Sequence, residues 1–321
     1  MATPMIETES LCRDFGDRTV LDSVNIRVDR GQVLGLLGHN GAGKTTLVQL
    51  LTTMLPPSAG SARVAGLDVV RDAHKVRRLI GLTGQYASID GQLSGRENLI
   101  FIARLLGASR SDARRRADEL LELFELTGAS RRKCRTYSGG MRRRLDLAAS
   151  LVGNPELLFL DEPTTGLDPV SRGMMWDLVE HLVNEGTTVL LTTQYLEEAD
   201  RLADRITVLA GGRVVAEGTA TKLKSDVGQG SVRLTVADTD QAVATEGILR
   251  QNGHAAVIHQ DGLTVVAPIE CPADVVHIAR ALDVLTIEIT DLQVREPTLE
   301  DVYLAFAGQP TKAMSGSIAN A

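Results

Sequence analysis

Short runs of apolar residues alternate along this chain with longer stretches in which apolar and polar positions recur at helical spacing. Three of the short runs are almost wholly apolar: Val33–Leu37, Leu157–Leu160 and Thr188–Thr192. Uninterrupted apolar runs of this length are typical of strands that are covered on both faces of a parallel sheet. The pattern therefore predicts an α/β fold with a largely parallel sheet.

A mostly helical insert is predicted between the first two runs, at roughly 93–135, and the helix after it extends this helical subdomain to about 150. The insert opens with Ser94-Gly95-Arg96-Glu97, in which the Ser94 and Glu97 side chains can form a capping box. A second helix is expected from Ser111. Many arginines make the insert basic, which indicates either contact with nucleic acid or anionic lipid, or a solvated face. We favour the solvated face and expect no nucleic-acid partner, because no aromatic residues are interleaved for base stacking.

The composition changes near 225–231, where Gly, Ser and Asp indicate a linker. The pattern beyond it predicts the order β-α-β-β-α-β of a small ferredoxin-like α+β domain. Its strands are expected at Val232–Val236, Ala255–His259, Leu263–Ala267 and Leu285–Ile289, and its helices near 240–252 and 273–282. The predicted domains are 1–228 and 229–307, followed by a disordered tail at 308–321. The second domain lacks clustered catalytic side chains and is expected to be accessory or regulatory.

Length and composition agree with this division. At roughly 100–200 residues per domain, 321 residues predict about two domains. The formal charge of −7 argues against a dedicated nucleic-acid binder. Cys12, Cys134 and Cys271 are too far apart for a zinc motif or a disulfide framework, which favours a reducing cytoplasm. No apolar run approaches the ~18–20 residues of a membrane helix and no signal peptide is recognised, so action at a membrane would require a partner.

A glycine-rich loop follows the first buried strand and precedes a helix. It fits the pattern G-x-x-x-x-G-K-[ST], whose backbone N–H groups surround phosphate groups at a helix N-terminus. Lys44 is expected to reach the β- and γ-phosphates, and the Thr45 hydroxyl to ligate Mg²⁺. His39 occupies a variable position and is expected to face solvent. The predicted triphosphate-binding residues are Gly38, His39, Asn40, Gly41, Ala42, Gly43, Lys44, Thr45 and Thr46.

The second buried strand ends in Asp161-Glu162-Pro163. Asp161 can hold Mg²⁺, directly or through water, and Glu162 can orient and deprotonate an attacking water. An ordinary turn after a strand can also contain Asp and Glu. The pair therefore indicates a catalytic site only in combination with the loop at 38–45.

A third motif, Tyr-Ser-Gly-Gly-Met at 137–141, resembles the signature motif of ATP-binding cassette (ABC) ATPases. The resemblance covers about 6–225 and implies a P-loop nucleotide-binding domain with a helical insert, ATP and Mg²⁺ as cofactors, and hydrolysis. It assigns Phe15 to adenine stacking, Gln85 to the Q-loop and the metal, and Asp168 to the D-loop.

The resemblance also implies that two copies form an ATP sandwich. Ser138, Gly139 and Gly140 begin a helix whose free N–H groups can bind the γ-phosphate of ATP held by the other copy. Met141 stands where the family usually has glutamine, so a polar contact made there is lost.

A closer resemblance, to the daunorubicin-resistance type of drug and lipid exporters, is carried by 137–148, 192–200 and 296–304. It implies a separately encoded membrane permease and a peripheral location on the cytoplasmic face of the cell membrane. Gln194 stands where most members have a histidine, so it cannot carry a proton and is expected to position the γ-phosphate and water. The alternatives are a cassette ATPase acting in translation or DNA repair and, less favoured because N-K-x-D is missing, a GTPase.

Overall fold

The computed structural model describes residues 3–83, 89–228, 230–259, 261–269, 272–283 and 287–307. The strands are β1 Ile6–Phe15, β2 Arg18–Val24, β3 Arg27–Val28, β4 Val33–Leu37, β5 Ala59–Val64, β6 Leu67–Asp68, β7 Ile80–Thr83, β8 Leu157–Asp161, β9 Thr188–Thr193, β10 Arg205–Ala210, β11 Arg213–Gly218, β12 Gly230–Val236, β13 Val257–Ile258, β14 Thr264–Ile269 and β15 Ile289–Arg295. The helices are α1 Lys44–Leu51, α2 Ala73–Leu79, α3 Gly95–Leu105, α4 Arg110–Leu123, α5 Gly139–Ser150, α6 Pro169–Asn184, α7 Leu196–Leu202, α8 Ala220–Val227, α9 Thr239–Gln251, α10 Pro272–Asp283 and α11 Leu299–Ala307.

The predicted parallel sheet is confirmed. Its order is β11-β10-β4-β9-β8-β7, with β11 antiparallel at one edge and parallel pairing from β10 to β7. Every residue of β4, β8 and β9 is buried. Successive side chains of β8 enter different apolar cores, Leu158 and Leu160 on one face and Leu157 and Phe159 on the other. A core on each face explains why these strands lack polar alternation.

A second, antiparallel sheet has the order β2-β1-β5-β6, and β3 pairs with the opposite part of β1. Its buried side chains, such as Leu11 and Leu21, share one core with Leu47 and Leu50 of α1. Helix α1 is thereby held between the two sheets, and this fixes the loop that precedes it.

The helical insert contains α3, α4 and the start of α5. The predicted capping box is confirmed, since the Glu97 N–H donates to Ser94 Oγ at 3.3 Å and the Ser94 N–H donates to Glu97 Oε2 at 2.8 Å. Helix α4 begins at Arg110, one residue before the expected Ser111, because the Ser109 side chain caps it.

The predicted ferredoxin-like arrangement is also confirmed in β12 to β15. The sheet order is β13-β14-β12-β15, and each neighbouring pair is antiparallel. The expected fourth strand at Leu285–Ile289 was wrong in its position: 285 and 286 lie outside the described residues, and β15 occupies Ile289–Arg295. β15 is an edge strand with mostly exposed side chains, so its weak apolar pattern did not indicate a strand.

The chain folds as two compact units. The first is Met1–Ala220 together with Phe306, and the second is Thr221–Ala305. Helix α8 occupies the first part of the stretch interpreted as a linker. Among the residues that the structure describes, no helix is both long and apolar enough to cross a bilayer.

Candidate active site

Three loops leave neighbouring strands at the same edge of the parallel sheet. Strand β9 lies between β4 and β8, and Leu37 of β4 pairs with Thr193 while Asp161 of β8 pairs with Thr192. The carboxyl ends of parallel strands therefore bring the glycine-rich loop, Gln194 and Glu162 to one crevice, where ligands bind in open α/β sheets.

The glycine-rich loop connects β4 with α1 and curls with positive φ at two glycines. Gly41 has φ 83° and Gly43 has φ 107°. A Cβ atom at Gly43 would lie 2.7 Å from Leu21 Cδ2 and 3.1 Å from the Val20 carbonyl oxygen, so the hairpin of β1 and β2 packs directly against the loop. Unlike α3 to α6, helix α1 has no side-chain cap, and its first turn contains no acidic residue. Its first N–H groups can therefore serve an anion.

Lys44 is the buried cation of this loop. Its Nζ donates to the carbonyl oxygens of Gly38 at 2.5 Å and His39 at 3.3 Å. Burial lowers the pKa of Lys44 from its ordinary value of 10.5, and the charges of Glu162 and Asp161 oppose that shift. An ammonium in this position can exchange its carbonyl contacts for phosphate oxygens.

The other residues predicted for triphosphate binding differ in their exposure. His39, Asn40, Gly41 and Thr45 are exposed, Thr46 is half-buried, and Gly38, Ala42 and Gly43 are buried. Exposure of His39 agrees with its expected orientation toward solvent.

The acidic pair follows β8 and is held by β9. The buried Asp161 carboxylate accepts a hydrogen bond from Thr192 Oγ1, and the Glu162 N–H donates to the Thr192 carbonyl oxygen at 3.0 Å. Glu162 has φ 49°, a left-handed conformation that costs a residue with a side chain about 1–3 kcal/mol. Strain of this kind persists only where neighbouring groups enforce it. The Glu162 side chain is half-buried, and its carboxylate accepts from Thr165 Oγ1 at 3.3 Å.

Arg143 of α5 contacts the same turn and was not predicted as a site residue. Its guanidinium donates to the carbonyl oxygens of Asp161 at 3.1 Å, Glu162 at 2.7 Å and Pro163 at 2.7 Å. Thr192 was likewise assigned only to a strand. Both residues lie in stretches that carry the family resemblance, 137–148 and 192–200, but nothing in those stretches indicated these contacts, because their partners are far away in the sequence.

The signature residues form an exposed helix N-terminus. Ser138 caps α5, with its Oγ accepting from the Met141 N–H at 3.2 Å. A Cβ atom at Gly140 would lie 2.9 Å from Ser171 Oγ, and Ser171 in turn donates to Asp168, the cap of α6. The signature motif and the D-loop thus lie side by side.

The remaining predicted residues have separate surroundings. Phe15 ends β1, is 45% exposed, and has the Arg13 guanidinium 4.6 Å from its ring centre. Gln194 follows β9 directly and is exposed. Gln85 lies outside the described residues.

A buried carboxylate also lies next to the Gln194 loop. Glu198 of α7 is fully buried and accepts from Trp176 Nε1 at 3.0 Å, which ties α7 to α6. Burial raises the pKa of Glu198, while hydrogen bonds lower it to a smaller extent.

Fold and site together define a class, the ATPases of the ATP-binding cassette type. The ABC transporter family model matches residues 21–165. The daunorubicin resistance ATP-binding protein DrrA3 of Streptomyces coeruleorubidus is 50% identical over 96% of this chain and 97% of its own length. The doxorubicin resistance ATP-binding protein DrrA of Mycobacterium tuberculosis is 48% identical over 94% of this chain and 92% of its own length.

Solved structures agree. A dimeric ATP-binding cassette in a post-hydrolysis state, bound to ADP and Pi, is 25% identical, with a TM-score of 0.61 over 67% of this chain and 98% of that one. The protein cbiO1 of Clostridium perfringens, part of an ABC transporter complex, is 28% identical, with a TM-score of 0.64 over 70% of this chain and 91% of that one. The chain belongs to the ABC transporter family, as an ATP-hydrolysing subunit of the daunorubicin-resistance type.

Proposed function

We propose that this chain binds Mg²⁺ and ATP at the edge formed by β4, β9 and β8, and that its ATPase powers export through a separate membrane permease. The observation that carries the proposal is the convergence of the glycine-rich loop, Gln194 and Glu162 at three adjacent strand ends. Such convergence would bring groups that bind phosphate, position water and accept a proton into one crevice.

The residues in the crevice suit the cofactors. The Thr45 hydroxyl and the Asp161 carboxylate are hard oxygen donors of the kind that Mg²⁺ prefers, and Gln85 is a proposed third ligand. Bound Mg²⁺ would neutralise charge on the triphosphate. Lys44 and the uncapped N-terminus of α1 would hold the β- and γ-phosphates, and Phe15 would stack on the adenine.

Glu162 is the proposed general base, because it follows β8 in a turn held by β9 and its charge acts on the pKa of Lys44 in the glycine-rich loop. Gln194 would donate one hydrogen bond to the γ-phosphate and accept another from the attacking water. Since an amide does not titrate at neutral pH, proton abstraction stays with Glu162.

The exposed N-terminus at Ser138, Gly139 and Gly140 supports an ATP-sandwich dimer, in which it would bind the γ-phosphate held by a second copy. Asp168 would stand at the same interface, beside Gly140 through Ser171. The unit Thr221–Ala305 would support dimerisation or regulate it.

The proposed cargo is a hydrophobic drug or lipid, and the proposed location is the cytoplasmic face of the cell membrane. Relatives named for daunorubicin, doxorubicin and linearmycin resistance support transport out of the cell and a cargo of this kind. They match this chain over nearly its full length, so the alternative of a cassette ATPase in translation or DNA repair is not favoured.

Co-expression with a candidate polytopic permease, sought in the reading frames that neighbour this gene, tests the proposal. We expect the two to co-purify and the ATPase of the complex to be stimulated by hydrophobic drugs. Lys44→Ala should abolish nucleotide binding but not assembly. A chain that hydrolyses ATP but assembles with no membrane protein would contradict the exporter role.

A further inference from the structure

One guanidinium holds three successive carbonyl groups of the turn that carries Glu162. Arg143 donates through Nε to Pro163 at 2.7 Å and through Nη2 to Glu162 at 2.7 Å and Asp161 at 3.1 Å. These carbonyls lie at and beyond the end of β8, where the chain leaves the sheet. Hydrogen bonds from a charged donor are stronger than those between neutral groups.

The contact matters because of the backbone conformation at Glu162. With φ 49° this residue is in the left-handed region that side-chain-bearing residues avoid. Two other elements hold the turn: Thr192 of β9 accepts the Glu162 N–H, and Arg143 of α5 binds the carbonyls. Within the turn, the Glu162 carbonyl also accepts from the Thr165 N–H at 3.3 Å, but the shorter and charge-assisted contacts are those of the guanidinium.

Arg143 is itself positioned for this task. Its side chain is 19% exposed, and its Nη1 lies 3.7 Å from the buried carboxylate of Asp146, one turn further along α5. A planar guanidinium can donate to several acceptors at fixed angles, whereas an ammonium is a single point of charge. The geometry therefore depends on arginine and not only on positive charge.

We propose that Arg143 is a positioning residue for ATP hydrolysis, which fixes the strained turn that presents Glu162 to the attacking water. This inference rests on the proposed role of Glu162 as general base. Because the signature residue Ser138 caps α5, Arg143 also connects the helix that is proposed to face a second copy with the Glu162 turn of its own chain.

The test compares Arg143→Gln and Arg143→Lys with Arg144→Gln in the full-length chain. Arg144 is a matched control: it follows on the same helix and is 17% exposed, and its guanidinium donates to the Phe124 carbonyl at 3.1 Å. ATP affinity, kcat, KM and thermal unfolding are measured for each. Arg143→Gln should lower kcat about 10- to 100-fold, as expected when a catalytic group is misplaced by about 1 Å. ATP affinity should stay within about twofold of wild type, since the phosphate-binding groups are intact.

Arg143→Lys should retain an intermediate kcat, and Arg144→Gln should match wild type. If Arg143→Gln fails to fold, Arg143→Lys decides between the outcomes. Wild-type kcat in the folded Arg143 variant would overturn the proposal, and so would an equal loss in the Arg144 variant.

Glu162→Gln, measured in parallel, separates this inference from the proposed function. Normal turnover of Glu162→Gln would remove Glu162 as the base and overturn the proposed mechanism itself. If Glu162→Gln is inactive while Arg143→Gln is normal, only the role of Arg143 fails. The double variant with Arg143→Gln and Glu162→Gln should be no slower than Glu162→Gln alone, because Arg143 is proposed to act through Glu162. A slower double variant would contradict this dependence on Glu162.

Discussion

Positive φ at the site has a different origin in glycine and in glutamate. At Gly43 the conformation is accessible because no Cβ exists to meet Leu21 and Val20, and the loop can close against β2. Glu162 has no such freedom, so its conformation is maintained by contacts with Thr192 and Arg143. Single residues therefore determine both the shape of the glycine-rich loop and the backbone conformation at Glu162, the proposed base.

The burial of Lys44 predicts a pH dependence of ATP binding. Its pKa is lowered in the free site, and a bound triphosphate raises it again, so binding takes up protons at alkaline pH. ATP affinity should fall as the pH rises through the lowered pKa, and the fall should begin below the ordinary value of 10.5.

Calorimetric titration with ATP at increasing pH, in buffers of different ionisation enthalpy, measures both affinity and proton uptake. Lys44→Arg is the control, since its guanidinium stays charged over this range. Proton release on binding, or an affinity that is constant up to pH 10.5, would contradict the assignment.

Phe15 should contribute to affinity through the exposed face of its ring. Stacking of a base on an aromatic side chain is worth about 1–3 kcal/mol, so Phe15→Ala should weaken ATP binding about 5- to 150-fold. Equilibrium binding of ATP measures the effect. Phe15→Trp should bind normally, and so should Phe101→Ala, which removes an exposed phenylalanine of α3. Unchanged affinity of Phe15→Ala would exclude stacking.

At the scale of elements, the central feature is that β9 separates β4 from β8. Its end carries Gln194 between the phosphate-binding loop and the acidic pair. Gln194→Ala should remove a hydrogen bond to a charged group, worth about 1.5–3 kcal/mol, and slow turnover about 10- to 150-fold with little change in ATP affinity.

Steady-state kinetics of the assembled complex measures this effect. Gln194→His should retain substantial activity, because an imidazole can make the same donor contact. Gln92→Ala, which changes another exposed glutamine, serves as control. Wild-type turnover of Gln194→Ala would show that this side chain faces solvent during catalysis.

Elements with an unambiguous pattern could be predicted from the sequence. Strands β4, β8 and β9 are buried on both faces, so their apolar runs are almost uninterrupted. The antiparallel strand β1 mixes buried and exposed residues without regular alternation, and the edge strand β15 is almost wholly exposed, so neither gave a clear signal.

The same distinction applies to the site. Motifs such as 38–45 and 137–141 are local, because each is a loop followed by a helix. The contacts of Arg143 and Thr192 instead join residues 18 to 31 positions apart, through packing of α5 and pairing of β9. Such contacts depend on tertiary structure, which no local pattern encodes.

At the scale of the whole molecule, one chain supplies two parts of a site that we propose to be completed by a second copy. The glycine-rich loop and Glu162 form one part, and the N-terminus of α5 at Ser138 forms the other. A dimer would then depend on bound ATP, and hydrolysis would weaken it.

Glu162→Gln tests this account most directly, through its ATPase rate and its molar mass by light scattering with and without MgATP. We predict that the variant binds ATP, has almost no turnover because an amide cannot accept the proton, and accumulates as an ATP-dependent dimer. Glu197→Gln, which changes an exposed glutamate of α7, should behave as wild type. Turnover of Glu162→Gln at the wild-type rate, or a monomer under saturating MgATP, would contradict the account.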